Sequence, residues 1–218
     1  MASNVENVLS KLEKRSKRER LGKAATSKKN MMLAITYETG LFFNILLKAM
    51  KAYRVLEIGT STGYSALWFI DALLHNRTSN RNYKLASSKP LITIENDPLK
   101  IKKASKNFSD AGVIDKIDIM AGPALENLFQ LSRRTSKNED LFDFVFIDAD
   151  KENLKQYIDL VLPMIRVGGI VATDNVLYPE EYRSIMTSFL SYIKAKPNIQ
   201  SVTIPIGHGE EITTKCAS

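Results

Sequence analysis

Apolar positions along this chain change period in a regular way. Val5, Val8, Leu9 and Leu12 recur at i, i+3, i+4 and i+7, the single stripe of an amphipathic helix, with Ser3 or Asn4 placed to cap it. TGLFFNILLKAM (39–50) predicts a helix, YRVLEI (53–58) a strand, and residues 62–75 a helix again. LITIE (91–95) is a strand, and PLKIKKASKNFSDAG (98–112) a helix opened by Pro98 and closed by Gly112. Strand KIDIM (116–120), helix ALENLFQL (124–131), strand FDFVFID (142–148) and helix ENLKQYIDLVLPMI (152–165) follow. Strand GGIVATD (168–174) and helix EEYRSIMTSFLSYIKA (180–195) complete the alternation. SVTIPI (201–206) and EEITTK (210–215) can pair as a hairpin across Gly207-His208-Gly209. Strands that alternate with helices need crossover connections, so the expected fold is α/β, a mostly parallel sheet covered on both faces. The last two strands suggest an antiparallel edge. Two polar stretches, 75–90 and 131–140, read as insertions and are expected to be surface loops.

Length and charge refine this. The 218 residues suit one α/β domain with a sizeable core. The single cysteine, Cys216, excludes an internal disulfide framework and fits a reducing cytoplasm. No apolar run reaches the ~18 residues of a membrane span, and the polar first residues lack the apolar core of a signal peptide. Of the net charge of +7, residues 1–30 carry +6, from nine basic residues against three acidic ones. The basic character therefore belongs to an arm, residues 1–30, and not to the body, residues 31–218. The arm reads as a docking helix with a solvated basic face. The alternative is a nucleic-acid contact, since clustered Lys and Arg neutralise phosphates, but no aromatic residue interleaves the charges to stack on bases.

The chemistry starts at VLEIGTSTGYSALWF (55–69), a strand, a glycine turn and a helix. That order describes a nucleotide site at the carboxyl edge of a parallel sheet. The spacing Gly59-Thr-Ser-Thr-Gly63 fits neither the dinucleotide fingerprint nor a phosphate loop. Glu57, at the strand tip, would repel a pyrophosphate and attract an ammonium. An adenosine-type ligand with positive charge and no phosphate fits, which describes S-adenosylmethionine. Glu95, ending the next strand, can accept both ribose hydroxyls. Further on, Asp148, Asp150 and Lys151 end one strand, and Asp174 and Asn175 end the next, so both tips open on the same edge. Two carboxylates and an amide oxygen are hard ligands that suit Mg²⁺ or Ca²⁺, with positions left for an acceptor bearing adjacent oxygens. A cation there lowers the pKa of a bound hydroxyl, and Lys151 is placed to take the proton where its surroundings depress its own pKa.

With these residues in view, the chain resembles the cation-dependent O-methyltransferases, the family of the catechol and caffeoyl-coenzyme A enzymes and their bacterial and archaeal relatives. The motifs are VLEIGTSTGYSA, LITIENDP, AGPALENL, FDFVFIDADK, GGIVATDNVLY and PIGHGEEIT, and the likeness runs from about Met31 to Lys215. It implies a Rossmann-like class I methyltransferase domain over residues 31–218, with seven strands and helices on both faces. It further implies that Glu57, Gly59, Thr60 and Ser65 hold the methionine part of the cofactor, Glu95 the ribose, and that Ala124 lies by the adenine. Ile35 falls where the family lines the cofactor from the preceding helix. Asp148, Asp174 and Asn175 match the ligands of Mg²⁺ or another divalent ion such as Ca²⁺ or Mn²⁺. Asp148 also reaches the cofactor, and Lys151 matches the base. The implied reaction is in-line transfer of the sulfonium methyl to an acceptor oxygen.

The chain departs from its relatives in two places. The stretch after Asn175 is short, and Gly-His-Gly stands where relatives carry Gly-Asp-Gly. His208 is read as a turn residue, Trp68 as core packing, and Tyr178 as bordering the acceptor. Two functions stay open at this point: an enzyme for catechol-like small molecules, and a tRNA hydroxyuridine methyltransferase that uses the basic arm; the intact Asp148, Lys151, Asp174 and Asn175 set argues against a third reading, a binding module with a dead site. The resemblance also implies a cytoplasmic homodimer, and the arm can cover the pocket or contribute to that dimer, as N-terminal segments do in relatives.

Overall fold

The computed structural model describes residues 4–23, 31–79, 89–135 and 141–217. Its helices are α1 (Asn4–Arg20), α2 (Tyr37–Ala49), α3 (Tyr64–Ser79), α4 (Pro98–Asp110), α5 (Ala124–Arg134), α6 (Leu154–Val161) and α7 (Arg183–Lys194). Its strands are β1 (Val55–Ile58), β2 (Leu91–Glu95), β3 (Ile117–Ala121), β4 (Phe142–Ile147), β5 (Ile165–Asp174), β6 (Ile199–Ile204) and β7 (Glu210–Lys215). Among the described residues these strands make one sheet in the order β3-β2-β1-β4-β5-β7-β6. The first five run parallel, while β7 is antiparallel to both β5 and β6. This is the mostly parallel seven-stranded sheet with an antiparallel edge expected from the alternation.

Side chains alternate across each strand, so every strand serves two cores. Val55, Phe144, Phe146 and Ala172 face a cluster with α1, α2, α3 and α4, where Phe43 and Phe69 meet Phe144 and Phe146 edge-on or tilted. Leu56, Ile58, Ile94, Val145 and Val171 face the other cluster, with α5, α6 and α7. Trp68 lies in the first core, edge-on to Tyr37 and Tyr64, as read from the sequence. Val5, Val8, Leu9 and Leu12 of α1 are buried in the same cluster, so the apolar stripe of the first helix docks on the body.

Two expected loops differ. Helix α3 runs on through Ser79, into the stretch read as an insertion, because Asn76 is buried and its amide donates to the carbonyls of Leu47 and Ala52. Residues 80–88 of that stretch lie outside the described ones. Helix α5 likewise extends to Arg134, with Leu131 buried and the Thr135 hydroxyl bonded to the Leu131 carbonyl. Residues 136–140 again lie outside the described ones. No described helix is long and apolar enough to cross a membrane.

The strand order fixes the site. The chain moves outward from β1 to β2 and β3, then returns to β4 on the other side of β1. At such a reversal the loops after the two central strands part and leave a crevice at their carboxyl ends. The glycine turn after β1 and Asp148 after β4 meet there.

Candidate active site

A cavity of about 800 Å³ opens at this reversal, within the size range of small-molecule sites. Gly59, Glu95, Ala124, Asp148, Lys151, Asp174 and Asn175 all line it. Seven of the candidate residues, drawn from four strand ends and a helix start, thus share one space.

The other four lie behind the wall. Glu57 is fully buried below the glycine turn, and Ile35, Thr60 and Ser65 are buried as well. Glu57 stands beside Thr93 in the β1–β2 register. Ser65 donates to one of its oxygens at 2.5 Å and Thr93 to the other, while Thr60 meets the Thr93 hydroxyl at 2.5 Å. Burial pushes the Glu57 carboxyl up to about 7, against the two hydroxyl bonds that favour its charge. The turn above it is tight. Gly59 has φ +102°, and a Cβ built on it would stand 1.9 Å from the Asp148 carbonyl oxygen.

Glu95 is held by three backbone N–H groups. Ser61 N donates to one oxygen at 2.8 Å, and Asn96 N and Asp97 N donate to the other at 2.9 and 3.0 Å. These bonds fix the carboxylate at the lip of the cavity and leave acceptor capacity for a ligand's hydroxyls.

The acidic end is built differently. Asp174 accepts from Asn175 N at 2.7 Å and from the Asn175 amide at 2.6 Å, and the same amide nitrogen lies 3.3 Å from Asp148. Lys151 Nζ donates to the Asp174 carbonyl at 3.2 Å and stands 3.8 Å from the Asp148 carboxylate. Burial first, and the Asp174 charge second, push Asp148 up to about 7. The positive end of an amide and an ammonium therefore face two mutually repelling acids. Among the described residues, no group of three or more His, Cys, Asp or Glu is arranged to hold a metal ion. The donor set, two carboxylates and an amide, is of the hard oxygen type that suits a divalent cation, which would replace the amide N–H and ammonium contacts that now offset the two acids.

Glu210, His208 and the end of α1 add to the site. Glu210, opposite Asp174 in the β5–β7 pair, is fully buried with neither side-chain oxygen reached by a donor. Burial, then the Asp174 charge, push it up to about 12, so it stays protonated. In the sequence it reads as one polar position of a hairpin strand. His208 is more than a turn residue: its Nδ1 lies 3.2 Å from the Asn175 amide oxygen, and its ring packs on Tyr178 with centroids 5.0 Å apart. Both rings line the cavity. Finally, Ser16, Glu19 and Arg20 of α1 line it too, so the arm borders the pocket, one of the two placements open to it from the sequence.

A family profile described as O-methyltransferase matches residues 10–216. The caffeoyl-CoA O-methyltransferase of Mesembryanthemum crystallinum is 32% identical over 199 residues, which span 82% of this chain and 71% of that protein. The catechol O-methyltransferase of Mycobacterium tuberculosis is 34% identical over 145 residues, 66% of this chain and 58% of that protein. The solved structure of an O-methyltransferase from Bacillus cereus, in complex with SAH, superposes with a TM-score of 0.72 at 24% identity, covering 99% of this chain and 91% of that one. At that identity the superposition speaks for the Rossmann-like fold.

Proposed function

We propose that this chain, which belongs to the O-methyltransferase family, moves a methyl group from S-adenosylmethionine to one oxygen of a catechol-like vicinal diol with the help of a divalent cation. The observation that carries the reading is the shared cavity: the glycine turn and Glu95 at one end, Asp148, Asp174 and Asn175 at the other. Relatives named for caffeoyl-CoA and catechol support the acceptor class.

On this reading Glu95 accepts the two ribose hydroxyls, and Ala124 borders the base. The Gly59–Ser61 turn receives the methionine part, with the Glu57, Thr93, Ser65 and Thr60 network as its floor. Asp148, Asp174 and Asn175 would hold the cation, which would supply the Lewis acidity that makes an acceptor hydroxyl more acidic. Lys151 is the side chain placed to take the proton that leaves that hydroxyl. The oxygen then forms its bond to the methyl carbon as the carbon–sulfur bond breaks, and the positive sulfonium leaves as a neutral thioether. Tyr178 and His208 form an aromatic wall against which a flat acceptor ring packs.

The test is transfer of labelled methyl from S-adenosylmethionine onto matched acceptors. Label on vicinal diols, and not on the corresponding monophenols, is the expected result. Equal labelling of monophenols removes the need for two oxygens and contradicts the diol reading. Label confined to tRNA replaces the acceptor class altogether.

A further inference from the structure

Helix α1 reaches the cofactor end of the cavity through a continuous set of hydrogen bonds. Glu19, with only 3% of its side chain exposed, spends both oxygens inside the protein. Arg15 Nε donates to one at 2.8 Å, and the backbone N–H of Met32 donates to the other at 2.7 Å. The Met32 carbonyl in turn accepts from the Ser61 hydroxyl at 2.5 Å. Ser61 N donates to Glu95 at 2.8 Å. One path therefore runs from the first helix, through the segment before α2, into the glycine turn, and ends on the carboxylate proposed to hold the ribose. A second tie lies beside it: Tyr64, the first residue of α3, donates its phenol to Glu13 at 2.6 Å.

The backbone along this path needs support. Ser61 has φ +48° and Leu33, directly after Met32, has φ +47°. Non-glycine residues hold this left-handed conformation only where their surroundings fix it. Ser61 makes two bonds of the path itself, and Leu33 follows Met32, which shares one of them and bonds Glu19. Without Glu19, the Met32 N–H loses its acceptor and the segment carrying Leu33 loses its anchor. The Ser61 hydroxyl then loses a fixed partner, and the amide that orients Glu95 is free to turn.

We infer that Glu19 is a positioning residue for the cofactor, and that α1 acts as part of the cofactor site through the Glu19–Met32–Ser61–Glu95 path. The inference rests on the S-adenosylmethionine reading above. Glu19 touches no reacting atom in this account. It also changes what a truncation would mean: removing residues 1–30 takes away a buried apolar stripe and two acids bonded to the body. Such a chain would lose cofactor binding whether or not the arm also meets a nucleic acid.

The experiment is calorimetric titration of the full chain with S-adenosylhomocysteine, for the unchanged protein and for Glu19→Ala, Glu19→Gln, Ser61→Ala and the Glu19→Ala/Ser61→Ala pair. Thermal unfolding is followed in parallel. Failure of the unchanged protein to bind overturns the cofactor reading itself. Given that it binds, Glu19→Ala is expected to weaken affinity about tenfold or more. Glu19→Gln keeps an acceptor for Met32 N–H and is expected to recover most of the loss. The Ala pair is expected to be no weaker than the worse single change, because both break one path. At saturating cofactor and acceptor, kcat is expected to stay within about twofold while the cofactor KM rises. Unchanged affinity in folded Glu19→Ala, or losses that multiply in the pair, overturn the inference. If Glu19→Ala does not fold, Ser61→Ala carries the test: it is expected to weaken affinity, and unchanged affinity in it overturns the inference.

Discussion

Gly59 and Asp148 are in backbone contact: a Cβ on the glycine would stand 1.9 Å from the aspartate's carbonyl oxygen. The contact joins the turn after β1 to the tip of β4, so the cofactor end and the acidic end of the cavity share a wall. Gly59→Ala sets a methyl against that carbonyl at a φ of +102°. It should destabilise the fold by about 2–4 kcal/mol and weaken S-adenosylhomocysteine binding and cation binding together. Denaturant unfolding and the two titrations check this, and loss of one affinity without the other would separate what the structure joins.

Glu57 gives a pH dependence. Its ordinary value of 4.5 is pushed up to about 7 in the folded chain. Between these values the folded protein keeps a proton that the unfolded chain releases, so stability falls as pH rises across that window and levels off above it. The shift corresponds to on the order of 3 kcal/mol. Glu57→Gln removes the titration and should be the more stable protein at pH 8, with the gap closing toward pH 4.5. The same change should weaken cofactor binding. Chemical denaturation at a series of pH values reads the first effect; a gap that does not vary with pH would contradict it.

The acidic end should behave as a cation site. Asp174→Ala removes one of its two carboxylates and should lower Mg²⁺ affinity by more than about a hundredfold, since even outer-shell changes cost 10–100-fold. Binding of S-adenosylhomocysteine should survive. Isothermal titration with each ligand decides the matter, and retained Mg²⁺ affinity would reassign Asp174.

Lys151 is bonded to the Asp174 carbonyl at 3.2 Å and stands 3.8 Å from Asp148, so its ammonium also steadies the acids. As the proposed base it should matter most in the chemical step. Lys151→Ala should lower kcat by about 10²–10⁴-fold while changing the acceptor KM far less. Steady-state kinetics at saturating cation makes the comparison, and a KM effect alone would leave Lys151 as a binding group.

Much of this was legible in the sequence because it is local. A strand of apolar residues ending in an acid, followed by a glycine turn and a helix, announces Glu57 and Gly59 within a few positions. The same holds for Asp148 with Lys151 and for Asp174 with Asn175. What the sequence hides is held by distant partners. Glu13 meets Tyr64 across 51 positions, and Glu19 meets Met32 across 13, so two acids on a basic helix read as ordinary surface charge. Glu210 belongs to an alternating hairpin strand, and only the pairing with Asp174 turns it inward. The end of α3 is hidden for a related reason: HNRTS looks like a loop, yet Asn76 finds two backbone carbonyls in the core.

The central claim is that one cavity brings a methyl donor and a cation to the same acceptor. The most direct measurement is labelled-methyl transfer from S-adenosylmethionine to a catechol by the unchanged chain, stripped with chelator and then resupplied with Mg²⁺. The account predicts that transfer stops with chelator and returns with the ion, while S-adenosylhomocysteine binds throughout. Transfer that continues undiminished in chelator would contradict it.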